Sequence, residues 1–490
     1  MAVNFKDRSE IMVVSPLNEL VPEDHLVRKL DRYIDWSFIY PLTNPLYSTK
    51  GRSRIDPVIL FKMIFINKLF GINSMRKTCE EIKVNVAYRW FLHLSFEDKV
   101  PDHSTYSQNY RRKYRDNNVS QKIFEHILTE LINHRVIDIE SLFIDGTHVK
   151  AHANKNKYNK QELIVSSAKA YQKELEEEIN QDRHHHGKKE IIFNEETGEV
   201  KQAKVSKNDP ESGVFHKGEK EKCFAYSINT ACDKHGYIVG AHIEPGNVHD
   251  SHSFFPLYQK LKMLEDFEEV KHMVLDAGYI TPYICKVIMD DSKVPLMPYK
   301  RPMTKKGYFK KYEYVYDEEY DCYLCPNEKV LKYSTTTREG YRLYKSSPKE
   351  CKKCPFIHQC TGNKKFQKVI TRHVWDDYKE ETIHHIRKSD VWREVYPLRK
   401  VTIERCFADA KTKHGMGFTR YVGKQRVFDD VLLLFSAMNL KKMVNYLDKI
   451  DQDNHLIKLY SIIFKKIEAF ASFLSLIKKR AFKHDCLSTL

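Results

Sequence analysis

Residues 141–151, SLFIDGTHVKA, and residues 272–281, HMVLDAGYIT, share one build: a short apolar run, an aspartate, and a glycine within the next two residues. Leu142, Phe143 and Ile144 precede Asp145, and Met273, Val274 and Leu275 precede Asp276. Such a run reads as a buried strand whose carboxylate emerges at its C-terminal end, where open sheets place their chemistry. A third acid, Glu404, stands in RKVTIERCFADAKTKHG (399–415), which has helical spacing. Three converging carboxylates repel one another unless a cation holds them, and hard divalent cations such as Mg²⁺ take oxygen ligands. Taken singly, an Asp at a strand end is often a turn former and a Glu on a helix a surface charge. Their matched contexts and separations (276 − 145 = 131 and 404 − 276 = 128) favour the joint reading, a metal site suited to phosphates.

The 490-residue chain carries 82 Lys and Arg against 66 Asp and Glu, a net charge of +16, and is long enough for several domains with cores. The basic excess favours a polyanion, nucleic acid first, through counterion release. A membrane is disfavoured: Val431 to Met438 is too short to span one, and Leu456 to Ile477 is broken by Lys458, Lys465, Lys466 and Glu468. The opening MAVNFKDRSE leads into no apolar run, so a cytoplasmic protein is expected. Of 11 cysteines, five fall between Cys322 and Cys360, which points to thiols or metal ligands.

Residues 1–140 read as a helical domain. Asp56 caps and Pro57 begins a helix over VILFKMIFINKLF that Gly71 closes. Ser74 caps MRKTCEEIK, Asn85 opens VAYRWFLHL, and Ser104 opens a basic stretch ending in Arg111, Arg112, Lys113 and Arg115. This spacing suits a helix-turn-helix-like arrangement with Arg111 and Arg112 on DNA, or an ordinary helical bundle. Ile123, Ile127 and Leu131 continue an amphipathic helix towards the Asp145 strand.

A charged insertion follows (154–221), with ELEEE (174–178) and HHH (184–186), read as a protruding helix and a solvated loop. CFAYSINTA and YIVGAHI, joined through Asp233 to Gly236, make a hairpin. A helix (254–264), the Asp276 strand, a helix after Pro282 and the strand VPLMPY complete residues 141–300 in βββαβαβ order. That is the order of a ribonuclease-H-like mixed sheet, an α/β fold. A cysteine-rich insertion (301–390), a Glu404 helix with a closing helix (391–450) and a basic helical tail (451–490) are expected beyond it.

On a continuous helix Lys400, Glu404, Ala408 and Lys411 share a face, beside an apolar stripe of Ile403, Phe407 and Ala410. The two lysines are then salt-bridge partners of the acid or contacts for phosphates. His249 and Asp250 in GNVHDS line the same cleft or form a solvated turn, and Asp209 and Glu211 in DPESG read as a structural turn. Cys322-x-x-Cys325, Cys351-x-x-Cys354 and Cys360 offer five thiols for a four-ligand zinc site in a small ribbon-like insertion, with reduced thiols as the alternative. The Lys, Arg and Tyr around them suit a grip on DNA. Cys79, Cys223, Cys232, Cys285, Cys406 and Cys486 read as small core or surface residues.

FIDGTHVKAHANK around Asp145, DPESGVFHKGEKEKCFAYSINTACDKHG (209–236), EPGNVHDS (244–251), LDAGY around Asp276, and ERCFADAKTKHG with TRYVG (404–423) resemble the DDE transposases of bacterial insertion sequences. The family signature runs Tyr, Arg, Glu, Lys. Glu404 and Lys411 match it, Tyr396 and Arg399 lie close, and Lys400 stands four before the Glu, where an Arg is expected. The resemblance implies a helical N-terminal domain and a ribonuclease-H-like core in which Asp145, Asp276 and Glu404 bind Mg²⁺ or Mn²⁺. Lys400, Lys411, Arg399 and His249 are then the expected DNA contacts beside them, and the resemblance favours Cys325, Cys351, Cys354 and Cys360 as structural zinc ligands over a set using Cys322. Two-metal chemistry would then cut double-stranded DNA at the element ends and join the freed 3′-hydroxyl to target DNA, in a homodimer holding paired ends at the bacterial nucleoid. The alternatives are a metal-dependent endonuclease without strand transfer, and a zinc-bearing DNA-binding regulator with vestigial acids.

Overall fold

The computed structural model describes residues 15–48, 55–72, 74–165, 171–193, 199–217, 221–299 and 303–485. The opening MAVNFKDRSE and Cys486 lie outside them. The chain divides into two compact units, one of residues 1–136 with 433–490 and one of residues 137–432.

The first unit is helical. Its helix Pro57–Leu69 is opened by Asp56, whose carboxylate accepts the Val58 N–H at 2.8 Å. Every residue from Leu60 to Leu69 is buried, so this mostly apolar helix is the unit's centre. Even Lys62 is taken in: its ammonium lies 3.1 Å from Asp31 and donates to the Phe91 carbonyl at 2.9 Å. Burial lowers the Lys62 pKa and Asp31 opposes the shift. Ser74 and Asn85 cap Met75–Val84 and Val86–Phe91, accepting the N–H of Lys77 and Tyr88.

The next helix, His103–Asn109, is opened by Asp102 and not by Ser104, because the Asp102 carboxylate accepts the Ser104 N–H. It runs into a π-helical turn, Tyr110–Tyr114, that buries Tyr110 and Tyr114 and leaves Arg111 and Arg112 exposed. Only Asn85 separates Met75–Val84 from Val86–Phe91, where a helix-turn-helix uses a turn of three or four residues. These two helices are therefore not joined as a helix-turn-helix. The helix Lys424–Asp485 begins in the second unit and continues into the first. No helix among the described residues is long and apolar enough to cross a membrane.

The second unit contains β1 (Ser141–Lys150), a separate pair β2 (Tyr158–Val165) and β3 (Glu199–Ser206), then β4 (Gly213–Lys217), β5 (Glu221–Cys232), β6 (Ile238–Pro245), β7 (His272–Val274) and β8 (Val294–Leu296). β6, β5 and β1 are antiparallel neighbours, β7 and β8 extend the sheet in parallel beyond β1, and β4 pairs with the first half of β5. The order β6-β5-β1-β7-β8 is the one expected of a ribonuclease-H-like sheet. Leu142 to Ile144 and Met273 to Leu275 are fully buried, as befits central strands covered on both faces.

Register explains the matched motifs. Ser141 lies opposite His272 and Phe143 opposite Val274, an offset of 272 − 141 = 131. Asp145 and Asp276 are separated by that same 131 and so stand level, two residues past the last pair. Neighbouring strands run about 4.8 Å apart, which brings the two carboxylates side by side.

Asp209 and Glu211 form the expected turn, and the structure gives it a task. Asp209 Oδ1 accepts from the Tyr226 hydroxyl at 2.7 Å and from the Gly423 N–H at 3.2 Å, and Glu211 Oε2 accepts from the Lys424 N–H at 2.8 Å. The turn thereby satisfies the first N–H groups of the helix Lys424–Asp485. Asp209→Ala strands one buried and one half-buried donor and should cost roughly 1–3 kcal/mol; an unchanged denaturation midpoint would show that the turn is dispensable.

The cysteine-rich insertion is a sheet of its own, larger than the small ribbon expected. β9 (Val315–Asp317), β10 (Cys322–Leu324), β11 (Val330–Thr336), β12 (Tyr341–Lys345) and β13 (Val369–His373) are all antiparallel, in the order β13-β12-β11-β10-β9. The triple histidine is a helix end and not a loop, with His184 and His185 exposed as expected and His186 half-buried. It closes the helix Gln172–His185, and His186 lies 2.6 Å from Asp321 with its ring stacked on Tyr333 at 3.7 Å. Asp182, one turn earlier, pairs with Arg342 at 2.6 Å, so partners more than a hundred residues away fix this helix on the second sheet.

Candidate active site

Past Val274 the chain leaves the sheet extended, with Asp276 at φ −80° and ψ 167°. The Asp145 side chain is 21% exposed and that of Asp276 55%. Arg399, only 5% exposed, reaches both: Nη2 lies 2.7 Å from Asp145 Oδ2 and Nη1 3.7 Å from Asp276 Oδ1. Nη1 has no hydrogen-bond partner among the described residues.

Local structure places that guanidinium. Arg399 belongs to a 3₁₀ turn, Tyr396–Lys400, anchored by Trp392, whose indole N–H donates to the Met297 carbonyl just past β8 at 2.9 Å. The Trp392 ring stacks on Tyr396 with centroids 5.1 Å apart, and the Arg399 guanidinium sits 5.8 Å from the Tyr396 ring. One short segment is thus tied to the end of β8 and to both aspartates.

The helix carrying Glu404 starts only at Ile403, because Thr402, at ψ −99°, breaks it from the 3₁₀ turn. The face expected to run Lys400, Glu404, Ala408, Lys411 therefore does not include Lys400, which is exposed. A 3₁₀ turn takes three residues where an α-turn takes 3.6, so counting in fours fails across the break. Arg399 is the cation turned into the site. Ile403, Cys406, Phe407 and Ala410 are buried, whereas Glu404, Ala408 and Lys411 are exposed. The structure brings together Asp145, Asp276 and Arg399 and leaves Glu404 at the surface of its first turn. Among the described residues no three His, Cys, Asp or Glu side chains stand close enough to hold a metal ion.

Burial pushes the Asp145 pKa up to about 6, against the pull of Arg399 and the Gly146 N–H, while Asp276 and Asp250 add repulsion. Asp250 is also raised by burial, with His249 opposing and Asp276 adding to it. Tyr279, pushed well up by burial, keeps its proton and donates it to Asn229 Oδ1 at 2.9 Å. Crowded oxygen donors short of positive charge fit a hard cation, Mg²⁺ or Mn²⁺, better than a soft one. His249 caps the helix Asp250–Leu261, its Nδ1 accepting the Ser251 N–H at 3.2 Å, which sets Asp250 in the first turn.

The five clustered cysteines divide. Strand alternation in β10 points Tyr323 into an apolar core with Tyr314, Leu331, Tyr344, Cys360 and Ile370. Cys322 therefore faces the other way, into a cavity of about 650 Å³ lined also by His185, His186, Asp317 and Tyr333. Cys325, three residues on, packs against the Tyr323 side. Cys360 Sγ lies 3.1 Å from the Tyr314 hydroxyl, and Cys351 and Cys325 are near enough to raise its pKa, behind burial as the main cause.

Two families match this chain. A transposase domain (DUF772) matches residues 15–112, and a transposase DDE domain matches residues 324–444, which include Arg399, Glu404 and Lys411 but neither Asp145 nor Asp276. No curated protein and no solved structure matches it. A DDE domain implies a ribonuclease-H-like fold, in agreement with the strand order around Asp145. From two separate stretches, the matches support the chain's place as an insertion-sequence DDE transposase.

Proposed function

We propose that this transposase binds the terminal inverted repeats of its element, cuts there with a divalent metal, and joins the freed ends to target DNA. The observation that carries the reading is the level pair Asp145 and Asp276 sharing one buried guanidinium. In this reading Asp145, Asp276 and Glu404 hold Mg²⁺ or Mn²⁺, which supplies an activated attacking oxygen and stabilises the leaving one. With the two carboxylates holding the ion, Arg399 would be free to offer its planar fork to the scissile phosphate. Hydrolysis breaks one phosphodiester bond and leaves a 3′-hydroxyl. That hydroxyl then displaces a target-strand oxygen, one ester for another, so no energy source is needed. Lys400, Lys411 and His249 flank the cut, Arg111 and Arg112 of the helical unit grip DNA backbone, and a homodimer pairs the two ends.

Cys325, Cys351, Cys354 and Cys360 are the zinc set this reading prefers, supported by the opposite facing of Cys322. Purified protein should carry one zinc per chain by elemental analysis. Cys360→Ser should lose it and melt lower, while Cys322→Ser should keep it; zinc-free wild type, or loss in Cys322→Ser, would contradict the assignment.

Incubating a labelled duplex that bears the element end, with Mg²⁺ or with EDTA, tests the function. Metal-dependent cleavage followed by joining is expected. Cleavage without joining would mean an endonuclease, and binding without cleavage a regulator.

A further inference from the structure

Asp250 lies outside the acid set described so far, yet its carboxylate comes up against Gly146, the residue that follows Asp145. A Cβ built on Gly146 would meet Asp250 Oδ1 at 2.8 Å, its carboxyl carbon at 3.3 Å and Asn229 Oδ1 at 3.2 Å. Gly146 does not have the left-handed backbone that calls for glycine, so close approach of the Asp250 carboxylate is what its missing side chain permits. None of the hydrogen bonds among the described residues reaches that carboxylate, although it is half-buried and close to two others. Undonated, crowded carboxylates are costly inside a protein unless a cation joins them. A second feature points the same way: Arg399 is 5% exposed, and its Nη1, 3.7 Å from Asp276, has no hydrogen-bond partner among the described residues.

We propose that Asp250 is a further carboxylate of the metal site, acting with Asp145 and Asp276, and that Gly146 is small in order to admit it. The inference rests on the metal-dependent reading above. As they stand, no three carboxylates are within range of one ion, so they close on it only when Arg399 gives them up. A purely structural role for an acid in the first turn of a helix would be to complement its dipole, which leaves metal affinity untouched.

Manganese binding to the full-length protein without DNA, followed by the electron paramagnetic resonance of free Mn²⁺, separates the cases. Asp250→Asn should weaken the tightest Mn²⁺ by about 10- to 100-fold, with an unchanged thermal melt. Gly146→Ala should do the same, because the new methyl pushes aside the far end of a flexible side chain while Asp145 and Asp276 keep their charges. If both variants bind Mn²⁺ as the wild type does and Asp145→Asn loses it, the role given to Asp250 is wrong and the metal reading stands. If the wild type binds no Mn²⁺, or Asp145→Asn binds it normally, both fall.

Discussion

Asp145→Asn should reduce strand cleavage by roughly 1,000-fold or more while leaving binding of the element end largely intact. The substitution keeps the side chain's size and an oxygen for Arg399, so the fold has little reason to change. It removes the negative charge that, level with Asp276 on the neighbouring strand, makes the pair a cation site. The basic surface that meets DNA backbone is untouched, and binding to phosphates depends on that surface. Asp276→Asn should behave alike, since Asp276, just past the end of β7, continues the register that sets it level with Asp145. Cleavage rates in Mg²⁺, read beside gel-shift affinity, check this; a variant cutting at the wild-type rate would remove that aspartate from the site.

Arg399→Ala should slow cleavage by roughly 100- to 1,000-fold, the usual loss for one preorganised charge stabiliser. Arg399→Lys should recover little of it, because a lysine cannot present a planar fork to two oxygens. Lys400→Ala should be far milder, since Lys400 is exposed on the outer side of the 3₁₀ turn. Divalent-metal affinity should not fall in Arg399→Ala and should tighten if anything, because the guanidinium and the ion compete for the same carboxylates. Single-turnover cleavage together with Mn²⁺ titration reads both effects. A larger loss in Lys400→Ala than in Arg399→Ala would mean that the wrong cation has been placed in the site.

Much of this arrangement was legible before any coordinates. The apolar runs before Asp145 and Asp276 marked two central strands, and the 131-residue spacing of the motifs turned out to be the strand register itself. Asp56 and Pro57 marked the buried helix because capping is local chemistry. Lys400 was counted onto the Glu404 face because the break at Thr402 carries no Pro or Gly to announce it. The approach of Asp250 to Gly146 left no trace in the sequence because the two lie about a hundred residues apart in the chain. His186 read as solvated for the same reason, its partner Asp321 being 135 residues away. The second sheet was read only as a small ribbon because β9 and β10 are three residues each, too short for alternation to show. Once β10 is known, the separation of Cys322 from Cys325 follows from parity along the strand.

The most direct test of the central claim is anomalous diffraction from crystals of the full-length protein soaked in Mn²⁺. A manganese peak within coordination distance of both the Asp145 and Asp276 carboxylates, with Arg399 drawn away from them, is the predicted result. Saturating Mn²⁺ that leaves Arg399 bridging the two aspartates, with manganese bound elsewhere or nowhere, would contradict the account.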